Sequence, residues 1–193
     1  ITFNIDPINS APIGTDNTVT TLEDADYIFS VADFGFSDVN DTPSNIIQAV
    51  VISTLPANGA LELNGVAVTA GQAISAADIT GGLLHFVPVA NAYGAGYTSF
   101  TFQVQDDGGT ANGGVNTDTT PRVMTIDVTE VNDAPDGADI TLTTLEDTVL
   151  TFTAANFGFT DVNDSPADTL QAVIITALPA DGLLELSGVA VTA

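Results

Sequence analysis

Cysteine, lysine and tryptophan are absent from this chain, and Arg122 is its only basic residue apart from one histidine. Without cysteine no disulfide can form, and without lysine no cross-link between lysine and asparagine side chains is available. Two covalent ways of reinforcing a protein domain are thereby excluded. The reinforcement that this composition still allows is a metal ion held by carboxylates.

Positive charge is scarce throughout, since 25 aspartates and glutamates give a formal net charge of −24 at pH 7. Nucleic acids and anionic membrane surfaces bind clustered lysines and arginines, so both are excluded as partners. The same excess of negative charge destabilises a compact fold unless cations offset it. No apolar run approaches the ~18 residues that a membrane-spanning helix requires, so we expect no membrane insertion.

The chain contains an internal repeat with an offset of 123 residues, from Ala11 to Ala134. The segments APIGTDNTVTTLED, FGFSDVNDTP and LELNGVAVTA match APDGADITLTTLED, FGFTDVNDSP and LELSGVAVTA. About 60% of the aligned positions are identical, and ITFNIDPINSAP at the start matches MTIDVTEVNDAP at the same offset. We therefore expect the last strand of a preceding repeat at 1–10, a complete repeat at 11–133 and the N-terminal half of the next repeat at 134–193.

Short segments rich in β-branched and aromatic residues predict an all-β fold. Phe100, Phe102 and Val104 alternate with polar residues, so they share one face of a strand. Asn64-Gly65 predicts a two-residue hairpin, which Ser187-Gly188 repeats in the second copy. Short strands separated by turns favour tandem antiparallel β-sandwiches of Greek-key type. The predicted strands are 18–21, 27–31, 49–54, 61–63, 66–68, 83–87, 99–104 and 123–128, with single helical turns at 32–36 and 75–78.

Acidic and asparagine residues recur at four turn positions. These are Glu23-Asp24, Asp38-Val39-Asn40-Asp41, Asp106-Asp107-Gly108-Gly109 and Asn132-Asp133, and the first two recur as Glu146-Asp147 and Asp161-Val162-Asn163-Asp164. Calcium takes about six to eight oxygen ligands from carboxylates, amides and carbonyls, which these clusters supply. Carboxylates 4 Å apart repel each other by about 1 kcal/mol even in water, so converging clusters favour a bound cation. The alternative is that each cluster is an ordinary turn, because aspartate and asparagine also hydrogen-bond their own backbone.

The linker Val131-Asn132-Asp133-Ala134-Pro135 resembles the motif between cadherin domains, Asp-x-Asn-Asp-Asn-Ala-Pro. Leu-Glu-Asp is similar to the acidic motif after the first cadherin strand, and Asp38-Val39-Asn40-Asp41 resembles the Asp-x-Asp loop after the second. Asp106-Asp107-Gly108 resembles the Asp-x-Gly motif late in the domain. The whole chain is most similar to bacterial cadherin-like (Ig-like β-sandwich) tandem repeats of giant secreted adhesins, often called RTX adhesins.

The resemblance implies calcium at each junction between repeats, with a set of ligands at each. At the complete junction the implied ligands are Glu23, Asp24, Asn132, Asp133, Asp161, Asn163 and Asp164. At the preceding junction they are Asp38, Asn40, Asp41 and Asp106, beside Asn9. Two departures from the family pattern are that Ser10 stands where the next copy has Asp133, and that the cadherin Asp-Arg-Glu motif is not visible.

The function that the resemblance implies is that of a calcium-stiffened extracellular extender at the cell surface, whose partners are neighbouring repeats of the same chain. We expect no enzyme, because His85 lies in a predicted strand and the chain has no cysteine or lysine to pair with it. A carbohydrate- or protein-binding module is one alternative, with Tyr93 and Tyr97 as candidate stacking residues. Another is a filament subunit that self-associates by strand addition, with residues 1–8 pairing with the half-repeat of a neighbouring chain.

Overall fold

The computed structural model describes residues 8–193 and divides the chain into two compact units. The first unit ends at Val131, and the second spans Asn132–Ala193. This boundary lies two residues before the one expected from the repeat. The strand expected at 1–10 lies outside the described residues, except for 8–10, which form no strand.

The described part of the first unit is built mainly of strands. In chain order these are β1 (Asn17–Leu22), β2 (Tyr27–Ile28), β3 (Ile47–Thr54), β4 (Ala60–Leu63), β5 (Val66–Ala67), β6 (Ala73–Ser75), β7 (Leu84–Val87), β8 (Gly94–Asp106) and β9 (Arg122–Thr129). A larger sheet has the order β1-β9-β8-β3-β6, and a smaller sheet has the order β2-β7-β4-β5. Buried residues of both sheets belong to one hydrophobic core, so the expected all-β fold is confirmed.

The core follows from the alternation of residues along the strands. Phe100, Phe102 and Val104 of β8 are at most 1% exposed and share the inner face, as their spacing predicts. Phe34, which lies in a 3-10 helix over Val31–Phe34, meets the Phe102 ring edge-on at a centroid distance of 5.0 Å. Phe34 is therefore a core residue, and through it the helical turn packs against the larger sheet.

One strand pair departs from the expectation of a wholly antiparallel fold. β1 and β9 run parallel, with Asn17 opposite Met124. The chain just before β1 is tied to the start of β9, because the Val123 N–H donates to the Asp16 carboxylate at 2.9 Å. The start of β1 therefore lies beside the start of β9, and the two strands run in the same direction.

The single arginine stabilises the start of β9. The Arg122 Nε lies 2.8 Å from Asp118 Oδ2, which also accepts the Gly14 N–H at 2.8 Å. Asp118 is only 3% exposed. Burial alone raises the pKa of Asp118, but hydrogen bonds from Arg122, Gly14 and Thr120 and the charge of Arg122 outweigh burial, so the pKa lies below its ordinary value.

The predicted turns are present. Asn64 and Gly65 join β4 to β5 with φ of 50° and 75°, the positive φ at both central positions that a type I′ hairpin turn requires. A short helix α1 (Ala76–Thr80) begins after Ser75, whose hydroxyl accepts the Asp78 N–H at 3.0 Å.

Some element boundaries differ from those predicted. The second predicted strand ends at Ile28 instead of residue 31, because Ser30 caps the 3-10 helix and its N–H donates to Asp33 at 2.7 Å. β8 begins five residues earlier than predicted, at Gly94. β6 was not predicted, because its three residues carry too little pattern beyond their pairing with β3.

The second unit follows the path of the first with fewer strand pairs. A 3-10 helix at Ala154–Phe157 and the hairpin of β10 (Glu185–Leu186) with β11 (Val189–Ala190) repeat elements of the first unit. The bridge between Asp136 and Thr160 repeats the one between Ile13 and Ser37 at the 123-residue offset. Val173 is 41% exposed, whereas its counterpart Val50 in β3 is fully buried.

Among the described residues, no helix has the length and apolar character needed to cross a membrane.

The burial of Phe34 in the core predicts unequal effects of the same substitution in the two copies. Phe34→Ala removes a fully buried ring, so we expect it to lower the free energy of unfolding of the first unit by about 3–5 kcal/mol. Phe157→Ala, at the corresponding position of the second unit, should leave that transition unchanged. Tyr27, Tyr93 and Tyr97 all lie in the first unit, so tyrosine fluorescence in a denaturant titration reports this unit alone. Equal losses in the two variants would contradict the packing described here.

The ion pair predicts a pH-dependent effect. Because the folded-state pKa of Asp118 is depressed, the ionised carboxylate stabilises the folded state above its ordinary pKa near 4. This stabilisation is lost as the pH falls through the folded-state pKa. Arg122→Gln should therefore destabilise the first unit by about 2 kcal/mol at neutral pH, the worth of a charged hydrogen bond. The difference from wild type should shrink in denaturant titrations near pH 3. A difference that is the same at both pH values would show that Arg122 acts through packing alone.

Candidate metal-binding sites

The first acidic cluster consists of Asn9, Asp38, Asp41, Asn45 and Asp106 in the first unit. Asp38 and Asp41 lie in the loop between the 3-10 helix and β3, and Asp106 is the last residue of β8. The pairing of β3 with β8 sets Ile47 opposite Asp106, so the loop and the strand end meet at one end of the larger sheet. The sequence predicts Asp38, Asn40, Asp41 and Asp106 as one set of ligands. Asp38 and Asp41 lie near enough to Asp106 for their charges to raise its pKa, but among the described residues only the second cluster brings three carboxylates within 4.8 Å of one another.

Asn9 anchors this cluster. Its side-chain amide donates to Asp106 Oδ1 at 3.1 Å, to the Gly109 carbonyl at 3.1 Å and to the Val115 carbonyl at 2.8 Å. The Asn45 amide donates to Asn9 Oδ1. A side chain at Gly108 would overlap Asn9 and Asn45, so glycine is needed for this close approach.

Asp38 is the member with an incomplete set of hydrogen bonds. Its Oδ2 accepts the Asn45 N–H at 2.8 Å, whereas its buried Oδ1 has no hydrogen-bond partner among the described residues. Asp38 is 6% exposed and Asp106 is fully buried. Buried carboxylate oxygens are normally hydrogen-bonded to protein or ordered water or bound to a cation, so Asp38 Oδ1 is available to a cation or a water.

Electrostatics in the cluster oppose ionisation. Burial raises the pKa of Asp106, and the charges of Asp38 and Asp41 raise it further, while hydrogen bonds from Gly108 and Asn9 partly offset these effects. The Asp41 carboxylate accepts the Ser10 N–H at 3.0 Å. Three carboxylates thus share one end of the sheet with no basic side chain in the described contacts, which favours a cation.

The second acidic cluster consists of Asp133, Asp161, Asp164 and Asp168 in the second unit. Carboxylate oxygens of Asp161, Asp164 and Asp168 lie within 4.8 Å of one another and could hold a metal ion. The Asp168 N–H donates to Asp161 Oδ2 at 2.6 Å, and the Asp133 N–H donates to Asp164 Oδ1 at 3.0 Å. These bonds repeat those of Asn45 with Asp38 and of Ser10 with Asp41.

The pKa of Asp161 reflects the same crowding. The hydrogen bond from the Asp168 N–H lowers it, but desolvation, the hydrogen bond with Asp164 and the charges of Asp164 and Asp168 outweigh this bond. The pKa of Asp161 is therefore raised. The two loops share one backbone scaffold, but the second carries Asp168 where the first has Asn45.

Glu23 is a separate acidic site in the first unit. It is 3% exposed, its Oε1 accepts the Val131 N–H at 2.6 Å, and its buried Oε2 has no hydrogen-bond partner among the described residues. Asp24, predicted to act beside it, is exposed with a φ of 57°, and its Oδ1 accepts the Asn91 N–H at 3.0 Å. Glu23 thus has a free buried oxygen, whereas Asp24 stabilises a turn.

The predicted asparagine ligands lie in more exposed positions than Asp38 and Asp106. Asn40 is exposed, Asn163 is half-buried, and the exposed Asn132 donates to the Asp133 carbonyl at 2.9 Å. The clusters contain two residues that sequence reasoning missed, Asn45 and Asp168. Asn45 precedes the predicted strand 49–54 by four residues, and the alignment of Asp168 with it at the 123-residue offset was the available signal.

Other candidate functional residues have structural partners. Tyr93 and Tyr97 are half-buried and pack against the core, and the Tyr97 ring meets Phe86 at 6.4 Å. His85 Nε2 lies 2.8 Å from the Gly82 carbonyl, and its Nδ1 lies 3.4 Å from Asp26. The tyrosines therefore do not form an exposed stacking platform.

Comparison of the chain with protein-family models, curated proteins and solved structures gave no match.

The crowded carboxylates predict an unusual response to neutralisation. In EDTA, Asp38→Asn removes one charge beside Asp106 and keeps an oxygen that can accept the Asn45 N–H. We expect the metal-free first unit to gain about 1 kcal/mol, the scale of one such repulsion. Asp26→Asn removes an exposed charge beside His85 and serves as the matched control, for which we expect no gain. Tyrosine fluorescence in a denaturant titration measures both, and a clear loss for Asp38→Asn would show that Asp38 is a purely structural acceptor.

Proposed function

We propose that this chain is part of an extracellular structural repeat, a calcium-stiffened extender of a large bacterial adhesin or surface filament. On this proposal the first unit is a cadherin-like Greek-key sandwich, and its acidic clusters hold Ca²⁺. The observation that carries the proposal is Asp38, whose buried Oδ1 lacks a hydrogen-bond partner in a cluster with the fully buried Asp106.

The donor atoms favour calcium over other metals. The clusters offer carboxylate, amide and carbonyl oxygens, and the chain has no cysteine to provide the thiolate that soft metals prefer. Calcium accepts a flexible set of about six to eight such oxygens, whereas magnesium demands a near-ideal octahedron and retains several waters. The mixed ligand set of the first cluster therefore suits Ca²⁺.

Acidic groups at both ends of the first unit support a role in a rod. The Glu23 N–H donates to the Thr129 carbonyl at the end of β9, and Asp106 ends the antiparallel neighbour β8. β8 has 13 residues, so the two sites are separated by roughly 40 Å of strand. A unit with candidate ion ligands at each end is suited to stiffening a tandem array, and recurrence of the loop in both units argues for structure over catalysis.

Calcium dependence of thermal stability tests the proposal. With a Kd near 10⁻⁴ M, typical of extracellular sites, ~10 mM calcium stabilises the folded state by roughly 2.7 kcal/mol per site. For a unit of this size we expect a rise in melting temperature of about 10 °C over EDTA. The melt is followed by tyrosine fluorescence at constant ionic strength, so that screening of the net negative charge is held fixed.

The controls separate binding from screening. Magnesium at the same concentration should give much less stabilisation, Asp26→Asn should keep the calcium response and Asp38→Asn should lose most of it. A melting temperature that is the same in calcium and EDTA would refute the proposal and leave the clusters as solvated turns. Equal stabilisation by magnesium would show that the effect is not selective for calcium.

A further inference from the structure

The second unit carries an open groove of about 480 Å³. Most of its lining is apolar and includes Pro135, Gly137, Phe157, Phe159, Leu170 and Val173. Each has a counterpart in the first unit at the 123-residue offset. The first unit therefore shows what such a surface packs against.

In the first unit the corresponding surface is covered by β8. Phe34, the counterpart of Phe157, packs edge-on against Phe102, and Gly14, the counterpart of Gly137, lies against the same ring. Val50, the counterpart of Val173, lies opposite Val104 of β8 and is fully buried. Val173 is 41% exposed, and in the described part of the chain no strand pairs with its segment.

We propose that the groove of the second unit accepts an antiparallel strand of the β8 type, with the pattern Phe-x-Phe-x-Val-x-Asp. By analogy with β3 and β8, Val173 would lie opposite the valine of the incoming strand, and Ile175 opposite its second phenylalanine. The occupant is a β8-type strand that is not already paired. The β8 of a second copy does not qualify, because it lies between β9 and β3 in its own sheet.

The docked strand would also bring a carboxylate to the second acidic cluster. Asp106 ends β8 opposite Ile47, so the corresponding aspartate would arrive opposite Leu170, near Asp168. A strand that adds a carboxylate to this crowded loop should bind more tightly when calcium offsets the repulsion. The apolar docking stands alone, whereas this calcium dependence rests on the proposed function.

The test uses the full 193-residue chain and a labelled peptide with the sequence of residues 94–129, which contains β8 and β9. We expect saturable binding by fluorescence anisotropy and slowed amide exchange at residues 170–175 of the chain. Val173→Asp places a charge on the inner face and should weaken binding by at least about tenfold. Val189→Asp adds the same charge in the exposed hairpin of β10 and β11, outside the groove lining, and is the matched control, which should bind like wild type.

Two further peptides separate the proposals. A peptide with Phe100→Asp and Phe102→Asp should not bind, and binding equal to that of the unmodified peptide, or no binding by either, would overturn the strand-docking inference. Calcium should tighten binding of the unmodified peptide by about tenfold, an ordinary coupling between sites, and should affect an Asp106→Asn peptide much less. Specific binding that is identical in calcium and EDTA would support strand docking and count against the calcium proposal.

Discussion

The mutual repulsion of buried carboxylates is the constraint on which the rest of this structure depends. Asp38 and Asp106 are nearly or fully buried at one end of the larger sheet, with Asp41 close enough to raise the pKa of Asp106. The chain has one arginine to offset 25 acids, and Arg122 is already paired with Asp118. The positive charge that would stabilise the cluster must therefore come from outside the chain, which is why we propose a bound cation.

The fold holds these carboxylates in place with backbone contacts that both copies share. In each copy an N–H seven residues along the loop donates to the first aspartate, from Asn45 to Asp38 and from Asp168 to Asp161. The scaffold therefore stays the same while the ligands change. The first cluster has the neutral Asn45 at the position where the second has Asp168, so the second cluster contains one more carboxylate at this position. If both clusters bind the cation that we propose, their different charge should give them different affinities for it.

Much of this architecture could be predicted from the sequence, because its signals are local. The alternation in β8 and the Asn64-Gly65 turn lie within short windows, and the repeat is visible when the two copies of the sequence are aligned. The parallel pairing of β1 with β9 depends on contacts that bring Gly14 and Asp16 to the region of Asp118 and Val123, about a hundred residues away. Asn45 was missed because nothing in its local sequence separates a ligand from a turn residue.

The central claim is that Asp38 Oδ1 is a metal ligand, and a crystal structure of the chain grown with calcium tests it most directly. The account predicts an anomalous difference peak about 2.3–2.6 Å from Asp38 Oδ1 and within the same distance of an Asp106 oxygen. A cluster without such a peak, in which Asp38 Oδ1 is hydrogen-bonded to water or shares a proton with Asp106, would contradict it.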